Sequence, residues 1–251
     1  MADQLALPLD AMADRLPELP DLRPMLPRPL PEAFDSEDHL FEPWWGGQRA
    51  LVFVGPAGAP GEGAVRIVDV DGIDRTDVLP ELAGTAVRVA ARSAILDGEL
   101  VVVDAAGRAD PDALATRLAG GTGGAVVFLA FDLLHLDGAS LLGQPLIKRR
   151  DALRRTLRPG DEVLAVPAIA TEGKALFDAI AAQGLVGMMA RQRQGPYLPG
   201  MRSRLWRLIP ARADAVPAAE MAGAPAEPAA SASATAPVLA LLSKLPLGDD
   251  A

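Results

Sequence analysis

The stretch Phe41–Val54, FEPWWGGQRALVFV, sets Glu42 ahead of a Pro-Trp-Trp-Gly-Gly turn and follows it with Gln48, Arg49 and the apolar run Ala50–Val54. Adjacent glycines permit close backbone approach or a positive φ, and an apolar run behind such a turn reads as a buried strand. A turn held against a buried strand is a natural place for a site. This one, however, carries no Lys, Cys, Ser, His or Asp to perform a reaction.

Similar strand-and-turn units recur downstream. Val65–Val70 ends at Asp71-Gly72 and makes a hairpin with Ala50–Val54 across the Gly/Pro loop Gly55–Gly63. In Ser93–Asp104, SAILDGELVVVD, the pair Asp97-Gly98 reads as a turn and Glu99 opens the strand Leu100–Val103. Ala125–Leu136, AVVFLAFDLLHL, is the most apolar strand, turned by Asp137-Gly138. Further strands are expected at Val163–Ile169, Val186–Arg191 and Leu205–Ile209, the last entered from a loop, Gly195–Arg204. A helix start reads at Asp77–Leu82, and Asp110–Leu118 has Asp110 as N-cap with Pro111 in its first turn. The spacing of Ile147, Leu153 and Leu157 predicts a helix over Ile147–Leu157 with its arginines outward on a solvated face. Glu172–Gln183 is a helix capped by Thr171 and ended by Gly184. Since no Gly-rich loop leads from strand to helix, the pattern is α+β, antiparallel sheets flanked by helices, and not a dinucleotide fold.

The ends differ from this middle. Residues 1–21 read as an N-terminal extension with one short helix, Leu9–Arg15, and 22–211 as the domain itself. Leu22–Pro31 is too rich in proline for helix or central strand, so it is either an extended surface segment or a linker. Residues 212–251 read as a disordered, acidic Ala/Pro tail, in which Val238–Leu245 is either a short amphipathic turn or part of an unstructured end.

Half of the 251 residues are hydrophobic, enough to bury one full core. No apolar run reaches the roughly 18 residues of a membrane span, and the N-terminus carries acids where a signal peptide needs basic charge, so a soluble, cytoplasmic chain is expected. With no cysteine and only His39 and His135, thiolate and histidine-rich metal centres are not expected. The net charge of −9 comes from the ends, because residues 1–40 hold nine acids against three bases and 212–251 five against two. Such a chain lacks the general basic face of a nucleic-acid binder. A local exception is Gln183–Ala211, which holds Arg191, Arg193, Arg202, Arg204 and Arg207 and no acid.

Taken in order, these pieces resemble the adenylation (nucleotidyltransferase) domain of ATP-dependent DNA ligases, particularly the bacterial non-homologous end-joining type. Arg23-Pro24-Met25-Leu26 is similar to that family's lead-in, and FEPWWGGQRAL to its nucleophile motif, E-x-K-x-D-G-x-R. LDGELVVVD and FDLLHLDG resemble the next two motifs, and Leu185–Pro210 covers the last two of the domain. The DGE and FDLL matches are weak alone; five motifs in the right order and spacing specify the fold.

In the resembled family a lysine attacks the α-phosphate of ATP, and the AMP is passed to a DNA 5′-phosphate. Here the nucleophile position is Trp44, whose indole has no basic lone pair, so the covalent step is lost. The motif Asp is Gly46, the metal-binding Glu is Val186, the motif-ending Lys is Arg191, and two phosphate-steadying lysines are Leu208 and Pro210. Valine offers a hard cation no oxygen, and loss of the lysines removes the neutralisation on which phosphoryl transfer relies.

The resemblance leaves Glu42, Arg49, Glu99, Phe131 and Arg191 as nucleotide-binding candidates, with Arg193, Arg202 and Arg204 for weak DNA contact. Glu99 is also a candidate metal carboxylate, without its partner at Val186. Structural alternatives stand beside these roles: Glu99 capping a turn, Phe131 in the core, and Arg49 paired with Glu42. Trp45 is expected to pack in the core. Thus ATP is expected to bind weakly at best, and Mg²⁺ lacks its ligand set. No OB domain, the family's DNA clamp, follows in the sequence. The reading is an inactive, ligase-like protein with an accessory role in DNA repair, binding nucleotide, DNA or a repair-protein partner. An active ligase using unusual residues and a purely structural scaffold are the alternatives.

Overall fold

The computed structural model describes residues 18–211 and 234–247. The expected helix Leu9–Arg15 and the segment 212–233 lie outside the described residues. Two sheets face each other. The first runs in the order β1-β11-β10-β2-β9, with β1 Leu26–Pro29, β2 Ser36–Trp44, β9 Ile169–Thr171, β10 Gly187–Gln192 and β11 Arg202–Pro210. The second runs β4-β3-β5-β6-β7, with β3 Gln48–Val54, β4 Val65–Asp69, β5 Ala94–Val101, β6 Val127–Leu136 and β7 Ala139–Ser140. A short strand β8, Val163–Ala165, lies beside β6.

Antiparallel pairing dominates, as the alternation of strands and turns requires. Two parallel pairings occur at the margins, β1 with β11 and β8 with β6. The proline-rich segment runs extended and partly exposed, as expected, and is paired as strand β1 and so is not a free linker. Proline cannot complete a central ladder, and β1 accordingly takes an edge position.

Successive residues of β3 and β6 point to opposite faces, and both faces are covered. Leu51, Phe53, Leu129 and Phe131 enter the core between the sheets, whereas Val52, Val54, Phe128 and Ala130 enter a second core on the outer face. Burial on both sides is why these strands read as unbroken apolar runs. Helices α1 (Pro111–Leu118) and α2 (Leu146–Thr156) contribute Leu114 and Leu153 to the outer core. Asp110 caps α1 through the Ala113 amide at 2.9 Å, as expected.

Four local expectations are corrected. Asp97-Gly98 is not a turn but the middle of β5, where the register to β6 is irregular. Gly98 is required because a Cβ there would lie 2.4 Å from the Phe128 ring. The arginines of α2 are not all outward, since Arg149 and Arg150 are 1% and 4% exposed. Helix α3, Gly173–Ala182, is not capped by Thr171, which has φ 71°; instead Asp35 Oδ1 accepts from the Lys174 amide at 2.9 Å. Finally, part of the expected tail is ordered: α4, Ala236–Leu242, buries Val238, Leu241 and Leu242 in the core between and beside the sheets.

Candidate functional site

A cavity of about 390 Å³ opens between the sheets, with walls from β1, β2, β10 and β11 on one side and β3, β5 and β6 on the other. Its volume falls within the roughly 300–1,000 Å³ common for small-molecule sites. The stretch Trp44–Gly47 links β2 to β3 along one wall.

Glycines set that link. Trp44 pairs in register with Gly187 of β10, and a Cβ on Gly187 would lie 2.9 Å from the indole, so the ring rests on bare backbone. Gly46 has φ +77°, and a Cβ there would lie 2.9 Å from Val186 Cγ2. Gly47 approaches β5 so closely that a Cβ would meet the Leu100 carbonyl oxygen at 2.2 Å. The approach delivers the Gly47 amide to Glu99 Oε1. Trp45 is buried in the core, its Nε1 donating to the Gly107 carbonyl at 2.9 Å. Gly107 in turn is overlaid by α4, whose Pro237 oxygen would lie 2.3 Å from a Cβ at that position.

The charged candidates converge here, but with partners the sequence did not disclose. Arg49 is not paired with Glu42; it holds Asp97 through two bonds of 2.6 and 2.5 Å. Burial would pull the Arg49 guanidinium down, and Asp97, Tyr197 and Glu99 raise it above its ordinary value. Glu42 contacts Arg191 and accepts from Arg150 at 2.6 Å. Arg150 also donates to the carbonyls of Phe131 and Val166, at 2.9 and 2.5 Å, so an arginine assigned to solvent is an internal brace of the site. Burial lowers it to about 10, opposed by Asp132, and it remains cationic near neutrality.

Phe131 lines the cavity but does not present a free ring. The Arg191 guanidinium lies 3.8 Å from its centroid and that of Arg49 4.5 Å, while Trp206 meets it edge-on at 6.1 Å. Stacked cations of this kind stabilise the aromatic cluster. Glu99 is buried, and burial raises its carboxyl to about 7; the backbone amides of Gly47, Trp45 and Gly46, with Arg49, oppose the rise. It is therefore neither a simple turn cap nor a free carboxylate.

The cations along this wall are arginines, Arg49, Arg191 and Arg202. Trp44 and Leu208 line the cavity, no lysine does, and Val186 packs beside Gly46. At the positions the resemblance assigns to a metal, Val186 carries no oxygen and one oxygen of Glu99 accepts from the Gly47 amide. Among the described residues, no group of three or more His, Asp or Glu is placed to hold a metal.

The arginines expected at DNA divide. Arg202 and Arg204 are exposed on β11 rather than in a loop, and Arg202 donates to the Pro27 carbonyl at 2.8 Å. Arg193, just beyond the end of β10, donates to the Glu37 carbonyl at 3.0 Å. Sequence reasoning missed Arg150, Asp97 and Tyr197. The first was hidden in a basic helix, and the second in an apparent Asp-Gly turn.

Two facing sheets, a cavity between them and the ordered motifs along its wall define an adenylation-type domain. Residues 24–208 match the family model described as ATP dependent DNA ligase domain, and the chain belongs to that family. Among its relatives is the multifunctional non-homologous end joining DNA repair protein LigD of Mycobacterium tuberculosis strain H37Rv, 34% identical over 166 residues. That match covers 66% of this chain and 21% of LigD, so the chain spans about a fifth of this relative's length. DNA ligase C1 of Mycolicibacterium smegmatis is 32% identical over 208 residues, covering 74% of this chain and 56% of that protein. Among solved structures, mycobacterial DNA ligase D complexed with ATP and MES superposes with a TM-score of 0.62 at 29% identity, covering 75% of this chain and 60% of that one. The ligase domain of M. tuberculosis LigD gives 0.61 at 30%, covering 74% and 58%. No helix among the described residues is long and apolar enough to cross a membrane.

Proposed function

We propose that this chain is a ligase-type adenylation domain that forms no covalent AMP intermediate and serves an accessory role in DNA end joining or repair. The observation that carries this reading is Trp44. At the nucleophile position of a chain that matches the family model over residues 24–208 stands an indole, resting on Gly187 and joined by the further departures at Gly46, Val186, Leu208 and Pro210. Nucleophilic catalysis by an amine needs a basic lone pair, and no neighbouring group supplies one. The three lysines, Lys148, Lys174 and Lys244, are absent from the cavity wall. The end-joining context comes from the similarity to LigD.

Incubation of the protein with Mg²⁺ and α-labelled ATP, followed by a denaturing gel, tests the reading. No retained label is expected; a labelled band would replace it with that of an active ligase using unusual residues. The exposed Arg202 and Arg204 support an additional, weak contact with DNA. Phosphate contacts of this kind weaken steeply with salt. Filter binding should fall between low and moderate salt and fall again when both become Ala. Binding indifferent to salt and to both substitutions would remove DNA from the proposal.

A further inference from the structure

The tail segment around α4 is tied to the cavity wall by a short chain of contacts. Its buried residues Val238, Leu241 and Leu242, with Leu245 just past the helix, recur at i, i+3, i+4 and i+7, the spacing of one helical face. Leu239, Ala240, Ser243 and Lys244 stay exposed on the other side. Ahead of the helix the Thr235 hydroxyl donates to the Gly160 carbonyl at 2.8 Å. A helix this short does not hold alone in water, so α4 exists because its apolar face is covered.

The domain is shaped to receive it. Asp104–Arg108 forms a tight turn, in which the Gly107 amide donates to the Asp104 carbonyl at 3.0 Å and the Arg108 guanidinium to Asp104 Oδ2 at 2.8 Å. Gly107 has φ +81°, and a Cβ there would lie 2.3 Å from the Pro237 oxygen and 2.9 Å from Leu241 Cβ, so only bare backbone lets α4 approach this closely. The carbonyl of the same Gly107 accepts the Trp45 indole N–H. Trp45 is followed by Gly46 and Gly47, and the Gly47 amide reaches Glu99 in the cavity. The path from tail to cavity therefore runs Leu241, Gly107, Trp45, Gly47.

We propose that the face under α4 is a docking groove for a helix with apolar anchors at this spacing, filled in cis by residues 234–247, and that its filling holds the Trp44–Gly47 link in place at the cavity. Ordering the segment costs conformational entropy that a few aliphatic side chains offset, a balance that keeps release and redocking accessible from the native state. The coupling is reciprocal, so whatever fixes the link also favours the docked tail. None of this depends on whether the chain forms an AMP adduct.

Hydrogen exchange followed by NMR on the isotope-labelled full chain tests it. In the parent, the Trp45 indole N–H and the Gly47 amide should be protected. In Leu241→Asp, which puts a carboxylate into the groove, both should exchange about tenfold faster or more while the amides of β6 keep their protection. Leu239→Asp, on the exposed face of α4, should match the parent. A free peptide of residues 234–247 should restore protection when added to Leu241→Asp and do nothing to the parent, whose groove is filled. If Leu241→Asp also loses protection in β6, the milder pair Val238→Ala, Leu242→Ala takes its place in the same comparison. The proposal is overturned if the tail is released and Trp45 and Gly47 stay protected, if the α4 amides stay protected in the groove variants, or if the peptide restores nothing.

Discussion

Two regions of the domain differ in how they use charge. In the first, Arg149 grips Asp132 through bonds of 2.8 and 2.7 Å, and Arg49 grips Asp97, which also accepts from the Tyr197 hydroxyl at 2.7 Å. Tyr197 accepts in turn from the Met25 amide at 2.8 Å, so the group joins β3 and β5 to the segments flanking β1 and β11. Every member has a partner, and the set behaves as a staple between the sheets. At the cavity, Trp44 and Leu208 line the wall without charge, and Val186 and Pro210, two further positions the family pattern charges, are apolar as well. The motif LDGE shows the division within four residues: Asp97 faces the staple and Glu99 faces the cavity. The charges of this domain hold its sheets together, and few are left to hold a ligand.

The comparison breaks most readily at the staple. Arg149→Ala leaves Asp132 buried and unpaired, and loss of one partner of a buried pair costs about 3–5 kcal/mol. Chemical denaturation should show that loss, while Leu208→Lys, partly exposed at the cavity, should change stability by less than about 1 kcal/mol. Equal losses would mean that the wall is as structural as the staple.

Glu99 supplies a second test, by pH. Its folded-state carboxyl is raised to about 7 from 4.5, so between these values the folded protein binds a proton that the unfolded chain has released. Stability from this group is therefore present below about pH 4.5 and lost as pH rises through 7. At 1.36 kcal/mol per unit, the full loss is on the order of 3 kcal/mol. The stability difference between Glu99→Gln and the parent should grow in favour of the variant from pH 5 to pH 8. A pH-independent difference would show that Glu99 is ionised throughout. Smaller again is Gly98→Ala, where overpacking against Phe128 should cost about 1–3 kcal/mol.

The fold was legible because strand signals depend on local alternation and on turns, and two-sided burial left β3 and β6 unmistakably apolar. Trp44, Gly46 and Val186 were singled out through the resemblance alone, and the structure places the three beside one another. What local sequence could not give was partnership. An Asp-Gly pair has high turn propensity, and only Arg49, 48 residues away, and the ring of Phe128 make a mid-strand position of it. Three consecutive basic residues, Lys148, Arg149 and Arg150, and the later Arg154 and Arg155 look alike on a helix. Two are drawn inward because Asp132 and Glu42 lie beneath them. The tail helix failed for the same reason. Its Leu and Val are too few to form a core alone and are ordered by one that already exists.

The smallest effect expected is none, and it bears most directly on the wall. Trp44→Lys with Gly46→Asp recreates the family's nucleophile motif in sequence, but the surroundings oppose it. An Asp at 46 must adopt φ near +77°, a region L side chains rarely occupy, with its Cβ 2.9 Å from Val186 Cγ2. A Lys at 44 would face a cavity that still lacks the two cations the family pattern places at 208 and 210, since Leu208 and Pro210 are unchanged. Incubated with Mg²⁺ and α-labelled ATP, the double variant should retain no label. Addition of Val186→Glu, Leu208→Lys and Pro210→Lys is the smallest set that restores both the carboxylate and the cations. Label on the double variant alone would mean that one missing amine, and not the character of the whole wall, separates this domain from an adenylating one.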